Sequence, residues 1–284
     1  MLSYQHAYHA GNFADVLKHM VLLQVLKYLK TKDKPLCYID THAGSGDYKL
    51  NSGEAQKNQE FLGGIGSLWL RDDLPGCVGD YVEFIKQLNH SEQLTRYPGS
   101  PLIASQLLGN KDRLFFYELH TAESRLLNDV VNRDKRIKTF RADGLRDSLG
   151  LLPPKENRGL ILIDPSYEIK NEYQVVVDAL KELHKRFATG CYLLWYPVVA
   201  RKRNVYMERA LQTSGIKNIQ LFELGIQPDS DEYGMTASGM IVINPPWTLL
   251  AEMQQVLPWL AETLGHNQQG HYRAEQLVGE SPLR

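Results

Sequence analysis

Cysteine is nearly absent from this chain. Its 284 residues include only Cys37, Cys77 and Cys191, and no two of them form a Cys-x-x-Cys pair. That excludes a disulfide framework and a thiolate metal site, and no metal is expected. Long hydrophobic runs are missing as well: no stretch approaches the ~18 apolar residues that cross a membrane. The start, Met1-Leu2-Ser3-Tyr4-Gln5-His6, lacks the basic head and apolar stretch of a signal peptide. These absences lead us to expect a soluble protein of the reducing cytoplasm, without a membrane partner. Neither sign of charge prevails, because 32 basic residues face 33 acidic ones for a net charge of −1. A protein that coats nucleic acid by charge alone is thereby excluded, whereas local basic patches on a neutral body are not.

What is present is a globular composition, 43% hydrophobic and 23% charged, without repeats or low-complexity tracts. Residues 12–30 read as a helix. Asn12 is a good N-cap, Asp15 sits in the first turn, and Phe13, Val16, Leu17, Met20, Leu23 and Leu26 form a stripe at helical spacing. Seven strands follow, at 36–40, 113–118, 137–140, 160–163, 191–196, 219–224 and 239–243. Helices at 123–131, 173–187 and 204–213 fall between them. Ser100-Pro101 opens a further helix, with Ser as N-cap and Pro as first helical residue. Strands alternating with helices predict an α/β fold with a mostly parallel sheet covered on both faces. The last two strands are expected to form an antiparallel edge hairpin. Residues 1–284 are expected to form one domain. Residues 48–97 interrupt it as a small helical insertion with no obvious strand, too long for an idle loop.

In an open α/β sheet, ligands bind beyond the carboxyl ends of the strands. After the first strand comes Asp40-Thr41-His42-Ala43-Gly44-Ser45-Gly46, where Gly44 and Gly46 let backbone approach a ligand closely. After the second comes Glu118, a carboxylate able to accept hydrogen bonds from both ribose hydroxyls. After the third comes Asp143-Gly144, placed to meet an adenine ring and its amine. A lone Gly-x-Gly is as readily a structural turn. A dinucleotide site wants a third glycine leading straight into a helix; Lys49 stands there instead and disfavours a nicotinamide cofactor. Taken in order, the glycine loop and the two acids resemble the class I, Rossmann-like methyltransferase pattern. That resemblance implies S-adenosylmethionine.

The fourth strand ends in Asp164-Pro165-Ser166-Tyr167. This resembles the [Asp/Asn]-Pro-Pro-[Tyr/Phe] motif of amino methyltransferases. An adenine amine is a poor nucleophile because its lone pair is delocalised into the ring. Two acceptors aimed at its hydrogens, the Asp164 carboxylate and the Pro165 carbonyl, favour a pyramidal nitrogen and free that pair for in-line attack. Tyr167 can stack on the purine and hold its plane. Ser166 replaces the second Pro, which removes a rigid φ but neither acceptor. Asn244-Pro245-Pro246-Trp247 fits the motif's letters better. It follows the last strand, which runs antiparallel in the class I sheet, so its end faces away from the cofactor. We expect a strand-ending turn there, with a packed Trp.

The polar aromatics of Tyr4-Gln5-His6-Ala7-Tyr8-His9, the Asp-Thr-His-Ala-Gly-Ser-Gly loop and Tyr97-Pro98-Gly99-Ser100-Pro101 closely resemble the RlmJ family of bacterial 23S rRNA adenine-N6 methyltransferases. The resemblance runs from Tyr4 through Trp195-Tyr196-Pro197-Val198. It implies that His19, His42, Ser100, Glu118, Asp143, Gly144 and Asp164 line the S-adenosylmethionine site, with Asp164 also catalytic. Tyr4, His6 and Lys18 would serve the incoming adenosine or its phosphate. The substrate would be 23S rRNA, and the enzyme is expected to act as a monomer. RNA contacts are expected at Arg201-Lys202-Arg203, beyond strand five. Lys135, Arg136, Lys138 and Arg141 are a weaker patch, because such clusters are often only solvated. The target base must leave its stack to be reached. A DNA adenine-N6 methyltransferase shares the chemistry, and a noncatalytic RNA-binding protein could share the fold.

Overall fold

The structure, a computed structural model, describes residues 5–89, 92–169, 171–230 and 234–280. Helix α1 (Phe13–Lys30) begins where Asn12 Oδ1 accepts hydrogen bonds from the backbone of Ala14 and Asp15, capping two otherwise unpaired donors. The chain then forms β1 (Cys37–Asp40), β2 (Asp47–Lys49), α2 (Gly53–Asn58), α3 (Ile65–Leu68), α4 (Gly76–Asn89), β3 (Arg96–Pro98) and α5 (Ser100–Leu107). Next come β4 (Arg113–Tyr117), α6 (Thr121–Val131), β5 (Ile137–Phe140), α7 (Gly144–Asp147), β6 (Gly159–Ile163), α8 (Glu172–Arg186), β7 (Cys191–Val198) and α9 (Arg201–Gln212). It ends with β8 (Ile219–Gly225), β9 (Ala237–Ile243), α10 (Leu249–Leu264) and β10 (His271–Val278).

The main sheet runs in the order β10-β8-β9-β7-β6-β1-β4-β5. From β5 through β7 all neighbours are parallel. Within that run β1 lies central, with β4 and β5 on one side and β6 and β7 on the other. This is the doubly wound, Rossmann-like arrangement, with its ligand crevice where the order reverses. Side chains alternate between two cores. Tyr38, Leu114, Leu160 and Leu193 face the side covered by α1, α4, α5 and α10, whereas Ile39, Phe115, Ile161 and Leu194 face α8 and α9. All four of Cys37–Asp40 and all five of Gly159–Ile163 are buried, the mark of strands covered on both faces.

Several expectations are corrected. The sheet has eight strands, not seven: β10, in the polar segment after Gly265, pairs antiparallel with β8 and forms the edge. Its residues are mostly half-exposed, so the strand carries no apolar signature. The antiparallel hairpin of β8 and β9 forms as expected, with β9 between β7 and β8, but β10 pairs outside β8 and takes the outermost place. The insertion is not wholly helical: β2 and β3 pair antiparallel at its mouth. Ser100 is the first helical residue of α5 rather than its cap, which is Gly99. Trp247 is 80% exposed, not packed.

Candidate active site

The residues that follow β1, β4, β5 and β6 surround one cavity of about 820 Å3. At the first strand end, Asp40 is fully buried and accepts hydrogen bonds from Ser100 Oγ (2.7 Å) and Tyr38 OH (3.1 Å). Burial, with Asp164 nearby and only partly offset by those donors, pushes its carboxyl up to about 7. The chain then turns through Gly44, at φ +59°, where a Cβ would stand 2.3 Å from the Tyr48 hydroxyl. That turn aims Gly44 N at Glu118 Oε2, 2.8 Å away, while His120 N donates to Oε1 at 2.6 Å. Burial raises the Glu118 carboxyl above its usual range against the pull of these two donors. At the third strand end, Asp143 caps α7 through Arg146 N. Gly144 sits so close to the β1 loop that a Cβ would lie 2.2 Å from the Thr41 carbonyl.

His19 and His42 also line the cavity. Burial disfavours the charge of each, lowering His42 to about 4 and His19 to about 3. His42 Nδ1 meets Thr41 Oγ1 at 2.8 Å. His19 Nδ1 meets Tyr97 OH at 2.7 Å, and Tyr97 OH meets Tyr81 OH at 2.7 Å, so α4 and β3 brace this ring. His19 Nε2 is buried with no partner among the described residues.

Beyond β6, Asp164 and the buried Pro165 line the same cavity. Tyr167 adopts φ +53°, uncommon for an aromatic residue and typical of strained functional turns. Its hydroxyl donates to the Trp195 carbonyl (2.9 Å) and its ring lies 4.5 Å from that of Tyr173, which hold it in place. Lys18 Nζ donates to Asp164 Oδ2 at 2.7 Å and lies 2.8 Å from Asp15 Oδ1. Asp15 Oδ2 in turn meets His6 Nε2 at 2.9 Å and Gly11 N at 2.8 Å. Burial opposes the Lys18 charge, but Asp15 and Asp164 outweigh it and hold the ammonium well above the ordinary lysine range. Burial likewise opposes the Asp15 charge, yet His6, Lys18 and His19 keep it well below the usual carboxylate range.

Thus His6, Lys18, His19, His42, Gly44, Ser100, Glu118, Asp143, Gly144, Asp164, Pro165 and Tyr167 all border the cavity. Gly46 does not: a side chain there would face Leu127, Pro101 and Val130. Tyr4 lies outside the described residues. Arg201 is held by Glu223 (2.7 Å) and Asp229 (2.7 Å), which removes it from the expected RNA patch, while Arg203 reaches the cavity. Arg136 is likewise engaged, by Asp134 and by the Ser105 and Leu108 carbonyls. Sequence reasoning missed Asp15 as the bridge to Lys18, although their i, i+3 spacing puts both on one helix face. It also missed Trp195, whose ring centroid lies 5.8 Å from Lys18 Nζ. At Asn244 the antiparallel β9 ends beside the start of β7, at the opposite end of the strands from the cavity, and the side chain donates to the Ala188 (2.8 Å) and Gly190 (2.7 Å) carbonyls.

A doubly wound sheet that gathers a glycine turn, two acids and an Asp-Pro turn around one cavity places the chain among the methyltransferases. Comparison with known proteins narrows this. The chain belongs to the family described as Ribosomal RNA large subunit methyltransferase D, RlmJ, whose sequence profile matches residues 33–278. It is 50% identical over 280 residues to Ribosomal RNA large subunit methyltransferase J of Escherichia coli strain K12, covering 99% of this chain and 100% of that one. The protein of the same description from Haemophilus influenzae is 48% identical over 281 residues, again covering 99% and 100%. A crystal structure of a Legionella pneumophila protein superposes with a TM-score of 0.87 at 40% identity, covering 94% of this chain and 98% of that one.

Proposed function

We propose that this chain methylates the N6 amine of an adenosine in 23S rRNA, with S-adenosylmethionine as the methyl donor. The observation that carries the chemistry is Asp164. It sits at the end of β6 beside Pro165, with one carboxylate oxygen engaged by Lys18 at 2.7 Å. Family membership and the two relatives, both ribosomal RNA large subunit methyltransferases, support the RNA substrate.

The residues present fit the cofactor. The unpartnered, buried His19 Nε2 calls for a ligand group, and the Gly44 turn brings backbone to the cavity wall. Tyr97 OH is the one partner of Tyr81 OH among the described residues, and we assign Tyr81 as the donor because only that direction leaves no hydroxyl proton of the Tyr81–Tyr97–His19 chain unpaired. Tyr97 OH then donates to His19 Nδ1, which leaves the proton of the neutral imidazole on Nε2. That N–H suits an anionic carboxylate. Glu118, already accepting from Gly44 and His120, retains lone pairs for ribose hydroxyls. Asp143 would accept from the adenine amine of the cofactor. When bound, S-adenosylmethionine supplies an electrophilic methyl group on a sulfonium sulfur.

Asp164 and the Pro165 carbonyl, which carries no hydrogen bond among the described residues, accept the two hydrogens of the target amine. This localises the nitrogen lone pair for attack. Lys18 fixes which Asp164 oxygen remains open. The proton shed by the methylated amine leaves through that oxygen. Tyr167, locked by Trp195 and Tyr173, presents a rigid wall for the purine. The test is mass spectrometry of 23S rRNA from cells with and without this protein. Loss of one N6-methyladenosine supports the proposal, and an unchanged nucleoside profile refutes it.

A further inference from the structure

Beside the catalytic cavity a second, shallower concavity of about 400 Å3 opens between the first turns of α8 and α9. Asn171, Tyr173, Gln174, Lys202, Arg203 and Tyr206 line it. Tyr173 and Arg203 belong to both walls, so the two spaces are contiguous. Their chemistry differs. The inner cavity is lined with buried acids and histidines, whereas the outer one carries two cations, two aromatic rings and two amides.

Three observations define an occupant. First, Lys202 and Arg203 make no ion pair with any described residue, although the adjacent Arg201 is clamped by Glu223 and Asp229. Second, Tyr206 is 58% exposed, and its hydroxyl is tied at 2.9 Å to Gln174 Oε1, so a large ring is held at the surface. Third, Tyr206 lies one turn of α9 beyond both Lys202 (i, i+4) and Arg203 (i, i+3), so the ring neighbours each charge. Val175 and Val199, 45% and 43% exposed, line the inner cavity and add apolar surface at its rim.

We propose that the outer concavity holds the nucleotide adjacent to the target adenosine. Its base lies against Tyr206, and Arg203 and Lys202 take the phosphate that joins the two nucleotides. Withdrawing one base from a strand removes a stacking partner from its neighbour, and an aromatic side chain replaces that partner. The linking phosphate must cross the shared wall, where Arg203 stands. This inference rests on the proposal that the inner cavity receives an adenosine of RNA.

The experiment measures binding of unmodified 23S rRNA transcript at several salt concentrations, for the wild type and for Tyr206→Ala, Tyr206→Phe and Arg203→Gln. Binding of S-adenosylmethionine by calorimetry reports the integrity of each variant. Tyr206→Ala should weaken RNA binding roughly ten-fold or more. Tyr206→Phe keeps the ring, loses only the tie to Gln174, and should retain most of the affinity. Arg203→Gln should flatten the plot of log affinity against log salt by roughly 0.7 to 0.9, the signature of one lost phosphate contact. All should bind S-adenosylmethionine as the wild type does. Wild-type RNA affinity in Tyr206→Ala, or a wild-type salt slope in Arg203→Gln, overturns the subsite while leaving the catalytic proposal intact. A wild-type protein that neither binds nor methylates the transcript overturns both.

Discussion

The Lys18 ammonium donates to the Asp164 carboxylate at 2.7 Å, joining the N-terminal helix to the end of β6 across 146 residues of sequence. Asp15, with a side chain 2% exposed, shares the same ammonium. Three buried or half-buried charges therefore stand or fall together. Lys18→Met should destabilise the protein by about 3–5 kcal/mol, because it removes the cation that two carboxylates share and leaves Asp15 with only His6 and Gly11 N. Adding Asp15→Asn should recover a large part of that loss. Urea unfolding of the two single variants and the double variant measures this, and strictly additive losses would rule out the coupling.

Gly144 carries a steric prediction. A Cβ there would stand 2.2 Å from the Thr41 carbonyl, and neither backbone can yield without moving a strand-end loop. Gly144→Ala should cost about 1–3 kcal/mol and weaken S-adenosylmethionine binding. Gly150 has nothing within 4 Å of its Cβ position, so Gly150→Ala serves as the control. Calorimetry on both variants checks this, and equal affinities would contradict it.

The buried, neutral His19 predicts a pH dependence. Burial lowers it to about 3, whereas an unfolded histidine titrates near ~6.5. Between those values the unfolded chain binds the proton and the native chain does not, so stability falls as pH falls. Relative to His19→Gln, the wild type should lose about 1.4 kcal/mol per pH unit across that window. Unfolding free energies of the pair at pH 6 and 5 provide the measurement. Parallel pH curves would mean that His19 is protonated in the folded protein.

Asn244 tests the competing motif. Its φ of +53° suits Asn, and its amide satisfies the Ala188 and Gly190 carbonyls far from the cavity. Asn244→Ala should cost about 1–2 kcal/mol of stability and leave kcat and KM unchanged. Steady-state kinetics check this, and a collapse of kcat would return the motif to contention.

What could be read from sequence follows from the range of the interactions. Helix α1 was visible because its cap and stripe are local, and β6 because a strand covered on both faces is continuously apolar. The order of the site acids was legible because the crevice at strand ends is a property of the fold. Strand β10 was not, since its half-exposed residues gain their pairing from β8, some fifty positions away in sequence. Helix α10 went unread although its buried Leu249, Met253, Val256, Leu257, Leu260 and Leu264 recur at helical spacing. The bridge from Asp15 through Lys18 to Asp164 depends on tertiary contact and leaves only an i, i+3 trace. Gly46 shows the converse: it is a motif letter at φ +80° whose Cβ position faces Leu127, outside the residues that line the cavity.

The most direct test of the central claim follows the methyl group itself. Purified protein is incubated with methyl-labelled S-adenosylmethionine and protein-free 23S rRNA, and the RNA is digested to nucleosides for chromatography. The label should appear in N6-methyladenosine with the wild type, and the rate should fall at least ~100-fold with Asp164→Ala. Label in a different nucleoside, or undiminished transfer by Asp164→Ala, would contradict the account.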